Sequence, residues 1–233
     1  MADQGVRRTG SVCAILLGIS YVVAGLTYLL LPAEQKGGTL LHNPEKYLSS
    51  LAQGSTLLVS NHLILGIGAL LGLAVVVAVS DWARSLKAGW MKWIGSLGYL
   101  GFAVTAVDNF QIAALDPMRA QQFVRADPVT RTVIAVTNPI ISIDPQMWLS
   151  FGLTGIWILA VSWLGFRTKS LPGLHGILGV VVAAAYLFIE IGSVLESQFL
   201  LLFAAGVGGL VIGPIWYAWL GLALWKSEGA SKS

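Results

Sequence analysis

The sequence predicts an all-α, polytopic membrane bundle of about six transmembrane helices, and three observations carry that expectation. The chain is 56% hydrophobic and only 11% charged, whereas soluble domains are about 25% charged. Its mean hydropathy is +0.77. Six stretches also reach the roughly 20 mostly apolar residues that a helix needs to cross a bilayer with its backbone groups satisfied internally. They are residues 11–31, 56–79, 94–115, 147–166, 174–194 and 199–225. A single integral membrane domain, 1–233, follows, because helices laid side by side in a bilayer enclose one interior.

Arg7 and Arg8 precede the first stretch, as in a signal peptide, yet the stretch is long enough to span and no Ala-x-Ala cleavage site follows. An uncleaved first helix is expected. Cys13 is the only cysteine. It excludes an internal disulfide, a Cys-x-x-Cys pair and a thiolate cluster, and reads as a small hydrophobe.

In the connection 32–55, Asn43-Pro44-Glu45 combines an N-cap, a proline at the first helical position and an acidic first turn. It predicts a short surface helix through Leu51. The second span carries Asn61 and His62 with Gly68 and Gly72 in GxxxG spacing, and the third has Gly95, Gly98 and Gly101 followed by Asp108, Asn109 and Gln111. Small residues of this kind let helices approach closely in lipid, so intramolecular packing is expected of them.

In the long connection 116–146, Asp116-Pro117 and Asp127-Pro128 repeat the helix-start signal, and the apolar runs 133–136 and 140–143 are expected to dip toward the membrane. A connection of roughly 30 residues exceeds simple linkage; a lid over a site and plain interfacial helices are both open. The fifth and sixth spans, separated only around Glu196, form a tight hairpin. Gly209 and Gly213 repeat the GxxxG spacing in the last span, where Pro214 removes a backbone donor and is expected to kink the helix. No internal repeat supports an inverted-repeat transporter.

Orientation follows from the 14 basic residues. With the N-terminus inside, the inner side holds Arg7, Arg8, Arg84, Lys87, Lys92, Arg167, Lys169, Lys226 and Lys232, whereas Lys36, Lys46, Arg119, Arg125 and Arg131 are spread over two long outer loops. This bias predicts N-in and C-in. Trp82, Trp90, Trp93, Trp148, Trp216, Trp219 and Trp225 are expected to form aromatic belts at the interfaces. The basic residues form no patch, so nucleic-acid binding is not expected.

Ionisable groups inside hydrocarbon cost about 2.5–3.5 kcal/mol near a helix centre, so each calls for an explanation. With N-in topology, His62, Asp108 and Glu190 all fall in the outer half of the membrane. Asp108 shares a face with Gln111, and Glu190 shares one with Ser193 and Ser197. Asp108, Glu190 and His62 are therefore the candidate catalytic residues, with Asn61, Asn109, Gln111 and Glu196 as candidate ligand-binding residues. A desolvated carboxylate beside an imidazole suits acid–base work on a lipophilic molecule, such as isomerisation, hydration or cyclisation, and equally suits recognition of a polar head group. Interhelical hydrogen bonding is the structural alternative.

No cofactor or metal is expected. His62, Asp108 and Glu190 lack the paired histidines and fixed spacing of a metal site, and His42 and His175 lie too far from His62 for a haem pair. There is no phosphate-binding glycine loop, Ser-His-Asp order or His-x-x-x-His box.

The stretch Arg167-Thr168-Lys169-Ser170-Leu171-Pro172-Gly173 leading into 174–184, the closing Gly213-Pro214-Ile215-Trp216 through Trp225-Lys226, and Arg7-Arg8-Thr9-Gly10 leading into the first span resemble small six-helix bacterial inner-membrane proteins of unknown function. The resemblance implies a bacterial cytoplasmic membrane location and no particular activity.

The leading expectation is thus a bundle with an outer-side polar pocket for a small lipophilic ligand; if it is an enzyme, it is an acid–base isomerase, cyclase or hydratase. The lipid bilayer is one partner. A subunit docking on a larger membrane protein complex is the alternative, and a transporter a third reading, against which stands an inner half expected to be apolar.

Overall fold

The computed structural model describes residues 4–137, 142–195 and 197–227, and among them every regular element is helical. The long helices are α1 (Gln4–Leu30), α4 (Thr56–Ser85), α5 (Met91–Arg125), α7 (Leu153–Thr168), α8 (Gly173–Val194) and α10 (Gly213–Ser227). Shorter helices are α2 (Gly37–His42), α3 (Pro44–Gln53), α6 (Pro128–Thr137) and α9 (Gln198–Ala204). Two π-helical segments, Trp148–Gly152 and Ala205–Ile212, lead into α7 and α10.

Five helices are long and apolar enough to cross a membrane: Gln4–Leu30, Thr56–Ser85, Trp148–Thr168, Gly173–Val194 and Phe199–Lys226. They place the chain in a lipid bilayer. The third expected span lies in α5, which falls short of that apolarity because it carries Asp108, Asn109, Gln111 and Asp116. Even so, α5 packs between α4 and α7 as a full member of the bundle.

The long helices close a ring in the order α1, α4, α5, α7, α8 and α10, with α10 returning to α1. Neighbours are pinned at both ends. At the end rich in Arg and Lys, the Arg7 guanidinium donates to Asp81 at 2.9 Å, Ser11 donates to the Gly221 carbonyl, and Arg8 sits over the Trp225 ring. Toward the other end, Asn61 of α4 donates to the Ala24 carbonyl and to Thr27 Oγ1 of α1. These pairs run consecutive long helices up and down, giving the bundle a basic end and an end covered by α2, α3 and α6.

Inside the ring lies an aromatic core. Trp157 meets Trp216 edge-on at 6.1 Å and Phe102 at 5.8 Å, while Trp216 meets Tyr217 at 5.0 Å. Edge-to-face contacts of this kind add to the burial of large rings. Leu26, Leu29, Ile67, Trp163, Phe166, Ile177 and Leu222 point outward, as a lipid-facing surface requires.

Several expectations are met and several are corrected. Asn43 Oδ1 accepts from Lys46 N and opens α3, and Asp127 Oδ1 accepts from Val129 N and Thr130 N to open α6. Asp116-Pro117, by contrast, starts nothing: α5 runs through it to Arg125. The proline costs one backbone bond, but Asp116, Ala120 and Phe123 are buried beside it, with Ala120 and Phe123 in a small cluster with Tyr47, Leu48 and Leu51 of α3, and that packing carries the helix on.

Trp82 and Trp216 belong to the core rather than to an interfacial belt, whereas Trp90, Trp93, Trp148 and Trp225 are exposed. Gly72 receives the Phe102 ring and Gly98 the Trp157 ring, as intramolecular packing requires, but among the described residues an added Cβ at Gly209 would meet no atom of another helix within 4 Å. Ahead of Pro214 the backbone widens into the π-helical segment, where Gly213 N donates to Gly208 O five residues back. The run 140–143 lies partly outside the described residues, as does Glu196.

Candidate functional site

Three side chains named from the sequence lie at the end of the ring covered by the short helices. His62 projects from the first turns of α4 and meets Asn109 of α5, with Nδ1 2.8 Å from Oδ1. The Asn109 amide nitrogen donates to the Thr105 carbonyl at 2.8 Å, so its oxygen is the atom turned toward the ring. Oδ1 can only accept. Nδ1 is therefore the donor of this pair, which leaves Nε2 as the ring nitrogen that Asn109 does not engage.

Asp108 is half-buried on the same helix and accepts from Ser142 Oγ at 2.7 Å. Ser142 in turn accepts from Asp144 N at 3.2 Å. The buried Asp144 carboxylate takes both the backbone N–H and the hydroxyl of Ser150, at 2.7 and 2.8 Å, and so caps the π-helical segment that enters α7. Glu190, on the last turns of α8, presses its carboxylate against Gly152, the last residue of that segment. Glu190 Oε1 is buried without a hydrogen-bond partner.

These groups form one neighbourhood. Asp108 lies within electrostatic reach of His62 and Asp144, and Glu190 within reach of Asp144. Among the described residues, no group of three or more His, Cys, Asp or Glu is arranged to hold a metal ion.

The short helices roof the site through a fourth acid, Asp116. Tyr47 of α3 donates to Asp116 Oδ2 at 2.7 Å, and Arg119 lies 3.7 Å from Asp116 Oδ1. Burial, and then the Asp116 charge, holds the Tyr47 phenol well above its ordinary range. The phenol stays protonated and keeps donating.

Of the remaining candidates, Asn61 turns toward α1, where it uses its amide hydrogens between helices. Gln111 is half-buried on α5. Ser197 does not extend a strip from Glu190; its hydroxyl accepts from Leu200 N at the start of α9. Glu196 lies outside the described residues. Sequence reasoning missed Asp144, Ser142, Ser150 and Tyr47. The legible signal was Asp144-Pro145, a third Asp-Pro pair ahead of a helix.

The half of the bundle expected to be apolar is not. His175, at the start of α8, is fully buried, stacked on Trp216 at 5.2 Å and edge-on to Trp219 at 5.8 Å. Both its ring nitrogens lack a hydrogen-bond partner, as do Ser162 Oγ and Trp216 Nε1. The hydropathy of these spans conceals such groups, because one Ser or His among many aliphatic residues hardly lowers an average. The chain matches no protein-family model, no curated protein and no solved structure, so its function is read from the placement of these side chains.

Proposed function

We propose that the polar cluster around Glu190, Asp108 and His62 binds the polar group of a small lipophilic molecule and performs acid–base chemistry on it: isomerisation, hydration or cyclisation. One observation carries this reading, the buried Glu190 oxygen with no hydrogen-bond partner, set beside Asp144. A carboxyl group in that position is the acid, and the Nε2 lone pair of His62, its tautomer held by Asn109, is the base. Asp108, Asn109 and Gln111 contact the ligand. The short helices close over the site, and lipophilic molecules reach it from the bilayer.

In this reading α5 crosses the membrane as a sixth span, both termini are cytoplasmic, and the cluster faces the outer leaflet of a bacterial inner membrane. The excess of Lys and Arg at the basic end supports that orientation.

The test is mass spectrometry of small molecules retained by the purified protein. A lipophilic compound present in the wild type and lost from Asp108→Asn and Glu190→Gln supports the site. If both variants are more stable and retain the same compounds, the carboxylates serve only the fold.

A second reading, a subunit of a larger membrane complex, draws on Gly206 and Gly209, where an added Cβ would meet no atom of another helix within 4 Å among the described residues. Such a face lets a partner helix come close. Purification in mild detergent as a lone particle counts against it.

A further inference from the structure

At the end of the ring where Arg7 meets Asp81, the exposed charge is of one sign. Arg8 stands near the start of α1, Arg84, Lys87 and Lys92 around the turn between α4 and α5, Arg167 and Lys169 around the turn between α7 and α8, and Lys226 at the close of α10; all are exposed. Among the described residues the only acid there is Asp81, which is buried and taken up by Arg7 at 2.9 Å, with Arg84 4.0 Å away. The covered end differs in kind, since its acids and bases are interleaved and Lys46 pairs with Glu34 at 3.4 Å.

Two of these bases converge at one seam. α1 and α10 are the first and last long helices, so no turn joins them, and Ser11 holds them side by side by donating to the Gly221 carbonyl. One turn nearer the end of the bundle, the Arg8 guanidinium lies 5.0 Å from the centre of the exposed Trp225 ring, and Lys226 is the next residue. Contact with a ring engages the face of a guanidinium and leaves its in-plane N–H fork for an acceptor.

One turn deeper the same helix faces become apolar. Val12 follows Arg8 by four residues on α1, and Leu222 precedes Lys226 by four on α10, so each base stands over an exposed aliphatic side chain. Ile19 and Ile215 continue the two exposed faces toward the middle of the membrane. A phospholipid has the same order, a phosphate above acyl chains. Its phosphate accepts two parallel hydrogen bonds from a guanidinium, and a lysine adds a second positive charge. Zwitterionic lipids bring an ammonium group beside the phosphate, which a surface carrying only cations repels. Inorganic phosphate matches the bases but not the apolar faces beneath them.

We propose that the seam between α1 and α10 seats an anionic phospholipid, its phosphate between Arg8 and Lys226 and its acyl chains along Val12, Ile19 and Leu222. The lipid joins the first long helix to the last at the place where the chain itself supplies no turn. This site shares no residue with the carboxylate cluster and lies at the opposite end of the bundle, so it stands or falls apart from the ligand reading.

The experiment is native mass spectrometry of the full chain in detergent, titrated with dioleoyl-phosphatidylglycerol or with dioleoyl-phosphatidylcholine. One Lys or Arg beside an anionic lipid surface is worth about fivefold in affinity. Wild type is expected to bind phosphatidylglycerol at least about tenfold more tightly than phosphatidylcholine, and Arg8→Ala combined with Lys226→Ala to weaken phosphatidylglycerol at least about tenfold. Lys87→Ala combined with Lys169→Ala removes the same charge away from the seam and should weaken it less than about threefold, because exposed charges beyond about 10 Å are screened. Equal affinity for the two lipids, or equal losses in the two double variants, overturns the proposal. Should the seam variant fail to fold, Lys226→Ala alone takes its place, with a loss of about fivefold expected; unchanged affinity in that variant overturns it.

Discussion

The Glu190 carboxylate occupies the place that a Cβ on Gly152 would take, so α8 and the helix entering α7 meet through an acid laid on bare backbone. Because the contacting atom is the end of a flexible side chain, Gly152→Ala is expected to push the carboxylate aside rather than break the interface. The helical gain of about 0.5–1 kcal/mol for replacing glycine with alanine offsets part of the cost. Thermal unfolding in detergent should therefore change by less than about 1 kcal/mol, while the infrared carboxyl band assigned by Glu190→Gln shifts. An unmoved band would mean that the carboxylate is not held at Gly152.

His62 depends on Asn109 for its tautomer. Asn109→Leu removes the acceptor from Nδ1 and is expected to cost about 1–2 kcal/mol, the penalty of leaving a buried donor unpaired. Nitrogen NMR of labelled His62 should change from a single Nδ1–H form to a mixture. A spectrum identical to wild type sinks the assignment of Nε2 as the base.

Tyr47 and Asp116 tie the roof to the bundle. Tyr47→Phe keeps the ring and loses a hydrogen bond to a charged group, worth about 1.5–3 kcal/mol. Amide exchange should accelerate in Pro44–Gln53 and stay unchanged in α7 and α8. Uniform acceleration everywhere would show that the bond supports the whole fold rather than the roof.

At the basic end, Asp81 is paired closely with buried Arg7 and only at 4.0 Å with exposed Arg84. Removing one member of a buried pair strands the other, so Asp81→Asn is expected to cost about 3–5 kcal/mol. Arg84→Ala should cost under about 1 kcal/mol, as solvent-exposed ion pairs do. Equal losses by urea or thermal unfolding would contradict the assignment of Arg7 as the principal partner.

A sixth crossing by α5 has a simple signature. In a Cys13→Ala background, single cysteines at Glu45 and Thr130 should react with an impermeant thiol reagent from one side of the membrane, and those at Lys87 and Lys169 from the other. Labelling of Thr130→Cys from the same side as Lys87→Cys would show that α5 does not cross.

Asn43-Pro44 and Asp127-Pro128 were legible as helix starts because each acts through its own neighbours, a side-chain oxygen reaching amides two or three residues on. Asp116-Pro117 carries the same pattern and starts nothing, because Asp116 is drawn to Tyr47, 69 residues away in sequence. Asp108, His62 and Glu190 stood out from the sequence as polar groups among apolar ones. Asp144 did not, since it sits in a polar connection where an acid attracts no notice.

The sequence by itself determined that this chain is helical, that its helices belong in a bilayer, and where the rare intramembrane acids fall along them. Those properties are sums over local windows of residues, which is what apolar runs and caps record. Only the tertiary structure decided that Asn61 serves α1 while His62, one residue on, serves α5. Only it showed that Asp144 joins the carboxylates and that Ser162 and Trp216 pack against Gly179 of α8. Which atoms meet across helices depends on how each helix is rotated about its axis, and that rotation is set by packing among all six at once.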